Sequence, residues 1–186
     1  MPLFKTRGVV LRRRDLGEAD RLLTLLTRRF GKLKAVAKGS RRARSRFTGH
    51  LEPLNEAEFM LWRREGRDLA IVSGATLVEH HPALAAHLPS FAAASFAAEL
   101  LDRSLEEDEP QPRLYDLLHR LLLSLRRPEH AAPALLAFTV RAAESLGYAL
   151  TLDRCTDCGG ALGREGAWLA HARGGLACGT CDGESA

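Results

Sequence analysis

The sequence predicts a multidomain α+β protein, with a small five-stranded β-barrel leading into an α-helical domain that carries a four-cysteine segment. Three observations predict it. Residues 1–80 fall into short runs of alternating polarity separated by turn residues. Beyond His80-His81-Pro82 the chain changes to Ala and Leu at 3.6-residue spacing. All four cysteines lie at the end, as Cys155-Thr156-Asp157-Cys158 and Cys178-Gly179-Thr180-Cys181.

The strands come first. Lys5–Arg12 is the opening run, followed by Arg21–Thr27, and Arg28-Arg29-Phe30-Gly31 reads as the hairpin turn into the next. In Lys32–Lys38 the alternation sets Lys32, Lys34 and Lys38 on one face, toward water, and Leu33, Ala35 and Ala37 on the other, toward a core. Glu56–Arg63 and Leu69–Ser73 complete the set around a second turn, Arg64-Glu65-Gly66-Arg67-Asp68. Five short antiparallel strands in about 80 residues suit an OB-like barrel, with 39–52 as a long excursion between the third and fourth strands.

The helices follow. Ala93, Ala97, Leu101 and Leu105 form one stripe, flanked by Phe96 and Leu100. Leu114, Leu117, Leu118, Leu121, Leu122 and Leu125 form a second. A third helix starts near Pro133 and stops at Gly147. Glu106-Glu107-Asp108-Glu109 with Pro110 and Pro112, and later Pro128, supply the breaks. The expected domains are therefore residues 1–80, 81–154 and 155–186. No internal repeat is found.

Charge is unevenly spread. The net charge is +4, but residues 1–50 hold 15 Lys and Arg against 3 Asp and Glu, and residues 51–186 hold 12 against 20. A positive field with one source points to a polyanion. Nine cations lie between Arg28 and Arg46, and Arg12, Arg13 and Arg14 add three more. Nucleic acid is the expected partner of Arg12, Arg13, Arg14, Lys32, Lys34, Lys38, Arg41, Arg42, Arg44 and Arg46, against the alternative of a solvated charged face. Phe47 is the only aromatic of the excursion, and it either stacks on a base or plugs the loop from below. With so few aromatics, contacts to the phosphate backbone should dominate.

Two CxxC pairs separated by 19 residues place four thiolates around one structural zinc ion held by Cys155, Cys158, Cys178 and Cys181. Two disulfides or a redox dithiol are the competing readings. His171, between the pairs, is read as a surface histidine. Four protein ligands leave no position for substrate, so the ion should stabilise and not catalyse. No GxxxxGK[ST], HExxH or GxSxG pattern occurs, and Glu56 and Glu58 read as exposed strand carboxylates that keep an edge soluble. No enzymatic activity, small-molecule substrate or membrane is expected. No apolar run approaches the length of a membrane helix, and the start lacks a secretory signal, so a cytoplasmic location is expected.

The order of several motifs adds a resemblance. Gly17-Glu18-Ala19-Asp20-Arg21, Leu25-Leu26-Thr27, Phe30-Gly31-Lys32-Leu33, Ala37-Lys38-Gly39-Ser40-Arg41-Arg42, Ser45-Arg46-Phe47 and Leu51-Glu52-Pro53-Leu54 follow one another as in the bacterial recombination mediator family RecO. Glu99-Leu100-Leu101-Asp102, Leu114-Tyr115-Asp116-Leu117-Leu118 and the stretch from Phe138-Thr139-Val140-Arg141 through Leu146-Gly147-Tyr148 to Cys155 are similar to its helical part. The resemblance implies an N-terminal OB-fold, a helical domain, a four-cysteine zinc site and no bond-breaking chemistry. It also implies binding of single- and double-stranded DNA, annealing of complementary strands, and help, with RecR, for RecA to replace the single-strand-binding protein SSB. Nucleoid association follows from that role. Docking of the SSB tail is expected on the helical part, with Arg126, Arg127 and Arg141 as candidate rim cations against the favoured alternative of ordinary exposed helix arginines. Family members continue for some tens of residues past the second CxxC pair into a further helix, whereas this chain stops at Ala186. An RNA-binding zinc module without a role in recombination is the alternative.

Overall fold

The computed structural model describes residues 3–47, 49–163 and 166–181. The chain divides into two compact units, Met1–Phe138 and Thr139–Ala186.

The first unit is built on strands β1 (Leu3–Leu16), β2 (Asp20–Thr27), β3 (Gly31–Ala37), β4 (Glu56–Trp62) and β5 (Leu69–Glu79). They close in the order β1-β2-β3-β5-β4, every pairing antiparallel except β3 with β5. Strand β1 is longer than expected because Arg13, Arg14 and Asp15 pair with Leu23, Leu22 and Arg21 along the β1–β2 hairpin. Polar side chains do not end a strand whose outer face can reach water. A register shift between Val10 and Arg12 bends β1, as barrel closure requires. Similarly, β5 runs to Glu79, paired with Glu56 at the start of β4.

The barrel core contains Val10, Leu23, Leu25, Leu33, Phe59 and Leu61, all at most 1% exposed, and Phe47 closes it from the excursion. The excursion itself contains turns and no regular element among its described residues. Phe47 is thus the plug and not a free stacking platform.

Helix α1 (Pro82–Ala86) is a short turn, followed by α2 (Leu88–Ser104) and α3 (Pro112–Ser124). Pro89 sits in the first turn of α2, where its missing N–H costs nothing, and the His87 ring accepts from the Ser90 amide at 3.2 Å. The buried stripe of α2 is Ala93, Ala94, Ala97, Ala98 and Leu101, and that of α3 includes Leu114, Leu118, Leu121 and Leu122. Phe96, expected beside the first stripe, is 49% exposed, since it falls on the opposite side of the helix from Ala94 and Ala98.

Helix α2 packs on the outside of β1, α3 on β2, and the linker between them runs along the start of β3. Thr24 and Leu26 on β2, and Lys32 and Val36 on β3, are buried although they point away from the barrel interior. The expectation that the lysine face of β3 meets water is therefore corrected at Lys32, which is 9% exposed. The run Leu22-Leu23-Thr24-Leu25-Leu26 is apolar on both faces, as a doubly covered strand requires.

Helix α4 (Ala131–Ser145) begins two residues earlier than the sequence suggests, after a 3-10 turn at Pro128–His130. The second unit contains a three-stranded sheet in the order β6-β8-β7, formed by β6 (Thr151–Cys155), β7 (Ala167–Ala170) and β8 (Gly175–Cys178). Among the described residues no helix is long and apolar enough to cross a membrane.

Candidate functional site

The cationic side chains singled out by sequence fall into three groups. The first lies in a cleft of about 280 Å³ on the outer face of β1, β2 and β3, lined by Arg12, Arg14, Lys32 and Lys34 together with Asp102 and Glu107. Of these cations all but Arg14, which belongs with the third group below, have partners. Lys32 Nζ donates to the Asp102 carbonyl at 2.6 Å, and Arg12 Nη1 lies 3.7 Å from the Asp102 carboxylate. Asp102 is in the last turn of α2, so Lys32 caps a helix C-terminus whose carbonyls lack intrahelical donors. Lys34 pairs with Glu107, whose carboxylate raises the lysine above its ordinary value.

The second group is also paired. Arg13 pairs with Glu52, and Arg41 donates to the Gly17 carbonyl at 2.8 Å while lying 3.4 Å from the Asp15 carboxylate. These contacts, with the Arg41 amide donating to Ala19 O at 2.9 Å and Gly39 N to Asp20 Oδ1 at 2.8 Å, fold the excursion back on the β1–β2 turn.

The third group is unpaired. Arg14, Lys38, Arg42, Arg44 and Arg46 are exposed and have no carboxylate partner among the described residues. Arg46 lies 4.9 Å from the Phe47 ring centroid, a cation–π contact that holds it over the plugged loop. These five cations are carried on a lip formed by the β3–β4 excursion and the hairpin end of β1, next to the β1–β2 loop that, with the strand 2–3 face and the β4–β5 loop, binds oligonucleotides in OB barrels.

Two features escaped the sequence reading. The β4–β5 hairpin carries Arg63, Arg64 and Arg67, which line a second depression together with Asp68 and Asp108. Counting charge over residues 51–186 as one block hid this local excess, although the spacing of the three arginines about Gly66 was visible. Glu56 is the other. It is 1% exposed, and not an edge carboxylate as expected. Its Oε1 accepts from the Tyr115 hydroxyl at 2.6 Å, its Oε2 is 2.7 Å from His119 Nδ1, and Arg7 Nε lies 3.7 Å away. Burial first, and then the Glu56 carboxylate, push the Tyr115 hydroxyl well above the usual phenol range. Fully engaged by α3, Glu56 ties helix to barrel. Glu58 pairs with Lys5 at 2.6 Å.

In the second unit the two CxxC segments converge. The sheet pairs β6 with β8, so Cys155 and Cys178 end adjacent strands, and the following turns return Cys158 and Cys181 to them. Gly175 permits the approach, since a Cβ there would fall 2.4 Å from the Thr151 carbonyl oxygen. All four Sγ atoms lie within 4.8 Å of one another, and Cys158 and Cys178 Sγ are 3.9 Å apart. A tetrahedron with metal–sulfur bonds of about 2.3 Å has edges of about 3.8 Å, so the four sulfurs fit one ion. Backbone amides of Cys158, Cys178 and Asp157 lower the Cys155 thiol below its ordinary value. The Thr180 hydroxyl, with Cys181, brings Cys178 to about 6, and the neighbouring Cys178 and Cys158 push Cys181 up to about 12. Such crowding favours shared thiolate charge that a cation neutralises. All four cysteines are free of disulfides. His171 is exposed, and the cluster is formed without it.

Comparison with known proteins covers nearly all of the chain. Residues 1–81 match the family described as "Recombination protein O N terminal", and residues 86–186 match "Recombination protein O C terminal". Among curated relatives, each named DNA repair protein RecO, that of Bifidobacterium longum (strain DJO10A) is 40% identical over 181 residues, covering 96% of this chain and 74% of the relative. That of Pelotomaculum thermopropionicum is 38% identical over 181 residues, covering 97% and 69%. The protein of Rubrobacter xylanophilus is 38% identical over 182 residues, covering 97% and 72%.

Proposed function

The chain belongs to the recombination protein O family, which gives it a role in DNA repair and recombination, and from that premise we propose that it is a DNA-binding, strand-annealing mediator. In this reading residues 1–80 hold single- or double-stranded DNA, residues 81–154 form a scaffold and docking platform, and residues 155–186 carry one structural zinc ion. Acting with RecR, the protein helps RecA displace SSB from single strands. It catalyses no covalent step, takes no small-molecule substrate, and works in the cytoplasm at the nucleoid.

One observation carries the reading: five exposed cations without carboxylate partners, Arg14, Lys38, Arg42, Arg44 and Arg46, share one lip of an OB barrel. The neighbouring aromatic, Phe47, is buried in the core, so the lip grips phosphates without stacking on bases. Bases left free can pair with a second strand, which annealing demands. Cys155, Cys158, Cys178 and Cys181 would hold zinc as four thiolates, which locks β6 and β8 together and leaves no open coordination position.

The test is annealing of complementary DNA strands coated with SSB, across a salt series, with structured RNA as competitor. Accelerated annealing that weakens with salt is expected. Failure to anneal, with preferential binding of RNA, would instead establish an RNA-binding zinc module.

A further inference from the structure

Residues 105–111, which link α2 to α3, run as an acidic strap along the start of β3. The strap is seated by its backbone: the Asp108 amide donates to the Lys32 carbonyl at 2.9 Å, and Lys32 and Glu107 form an isolated parallel β-bridge. Gly31 makes room for it, since a Cβ at that position would fall 1.9 Å from the Glu109 carbonyl oxygen. Its side chains then meet cations on both sides. Glu107 pairs with Lys34 on β3, and Asp108 pairs with Arg63 at the base of the β4–β5 hairpin at 2.5 Å.

The location matters because β3 and the β4–β5 hairpin flank the surface on which OB barrels hold oligonucleotides. In this chain that surface is cationic, from Arg12, Arg14 and Lys34 on one side to Arg63, Arg64 and Arg67 on the other. Two carboxylates of the strap already pair with cations of that surface, Glu107 with Lys34 and Asp108 with Arg63. Asp108 holds this pose with φ of +62°, a left-handed turn conformation that aspartate tolerates better than most residues other than glycine. Leu105 anchors the start of the strap in the core, whereas its mostly exposed part from Glu106 to Pro110 is held by ion pairs and one bridge, which suits a segment that can leave.

Resting on the DNA-binding reading above, we propose that the strap is a built-in polyanion that occupies a second phosphate track, and that single-stranded DNA entering this track displaces it. The track is assigned to single strands because its resident is itself a single chain, seated on β3 by one backbone bridge. Lys32 stays with the Asp102 carbonyl throughout, and Lys34 and Arg63 become the additional phosphate contacts.

The experiment measures binding of a fluorescent oligothymidylate to the full chain by anisotropy across a salt series. The double variant Glu107→Gln/Asp108→Asn is compared with the wild type and with Glu129→Gln/Glu144→Gln, which removes the same charge from exposed helical positions. The strap variant should bind about three- to tenfold tighter, with a log–log salt slope steeper by about 1.4, as two further contacts require. The control should shift affinity less than twofold and leave the slope unchanged. The gain should be confined to single strands. If the strap variant matches the control while the wild type binds, the strap inference falls and the DNA-binding reading stands. If neither wild type nor variant binds at low salt, both fall. An equal gain for duplex DNA overturns the assignment to single strands. Should the double variant fail to fold, Glu107→Gln alone, which keeps the Asp108–Arg63 pair, should give half the slope change; no change overturns the proposal.

Discussion

Tyr115 donates to a carboxylate that water hardly reaches, and hydrogen bonds to charged groups are worth about 1.5–3 kcal/mol. Tyr115→Phe removes only the oxygen and should lower unfolding stability by about that amount, read as a shifted denaturant midpoint at constant m-value. DNA affinity should be unchanged, because the substitution removes none of the unpaired cations. His81 gives a pH-dependent counterpart. Its Nδ1 accepts from Arg126 Nε at 3.3 Å, which requires a neutral ring, and its buried Nε2 has no partner. Burial, followed by the Arg126 charge, holds it down at about 4. As pH falls below about 6.5 the unfolded chain takes up this proton first, so stability present above that pH is lost progressively down to about 4. The loss should reach about 3 kcal/mol, and His81→Asn should flatten the stability curve across that window in acid titrations followed by circular dichroism.

The excursion and the cysteine turns each act as units. Replacing Lys38, Arg42, Arg44 and Arg46 together with alanine should flatten the salt dependence of single-strand binding by about 2.8 log units per log unit, at about 0.7 per contact. Unchanged binding would move the DNA surface elsewhere. Cys155→Ser should lower zinc content, measured by metal analysis, and melt the β6-β8-β7 sheet, seen as altered Trp168 emission, since structural zinc is linked to folding. How far these elements could be read from the sequence depended on how local their cause was. The hairpin at Arg28–Gly31 and the four-cysteine cluster rest on turn chemistry and spacing a few residues long, and both are where the sequence put them. Burial of Lys32 and Glu56 has a different origin. Their partners, Asp102, Tyr115 and His119, are 70, 59 and 63 residues away, and no local period encodes them. Arg12 and Lys34 look like free cations in the sequence because pairing with Asp102 and Glu107 requires α2 and the linker after it to be laid across the barrel.

Across the whole chain the net charge of +4 is an average over regions of opposite sign. Part of the cationic excess is neutralised internally by Asp102, Glu107 and Asp108, so the number of phosphate contacts is smaller than the number of Lys and Arg suggests. With five unpaired cations at the lip, the wild-type salt slope on single strands should be about −3.5, far below what all ten candidates would give. The barrel's own connectivity has one more result. β2 and β3 are matched from Arg21↔Ala37 to Thr27↔Gly31, but β3 meets β5 only from Lys34↔Leu69 to Val36↔Ile71. A ring gives way at its shortest weld. Deuterium should therefore enter the Asp108 amide and the neighbouring backbone of β3 and β5 before any other part of the barrel wall, and the rest of the cylinder should exchange only when the whole fold lets go.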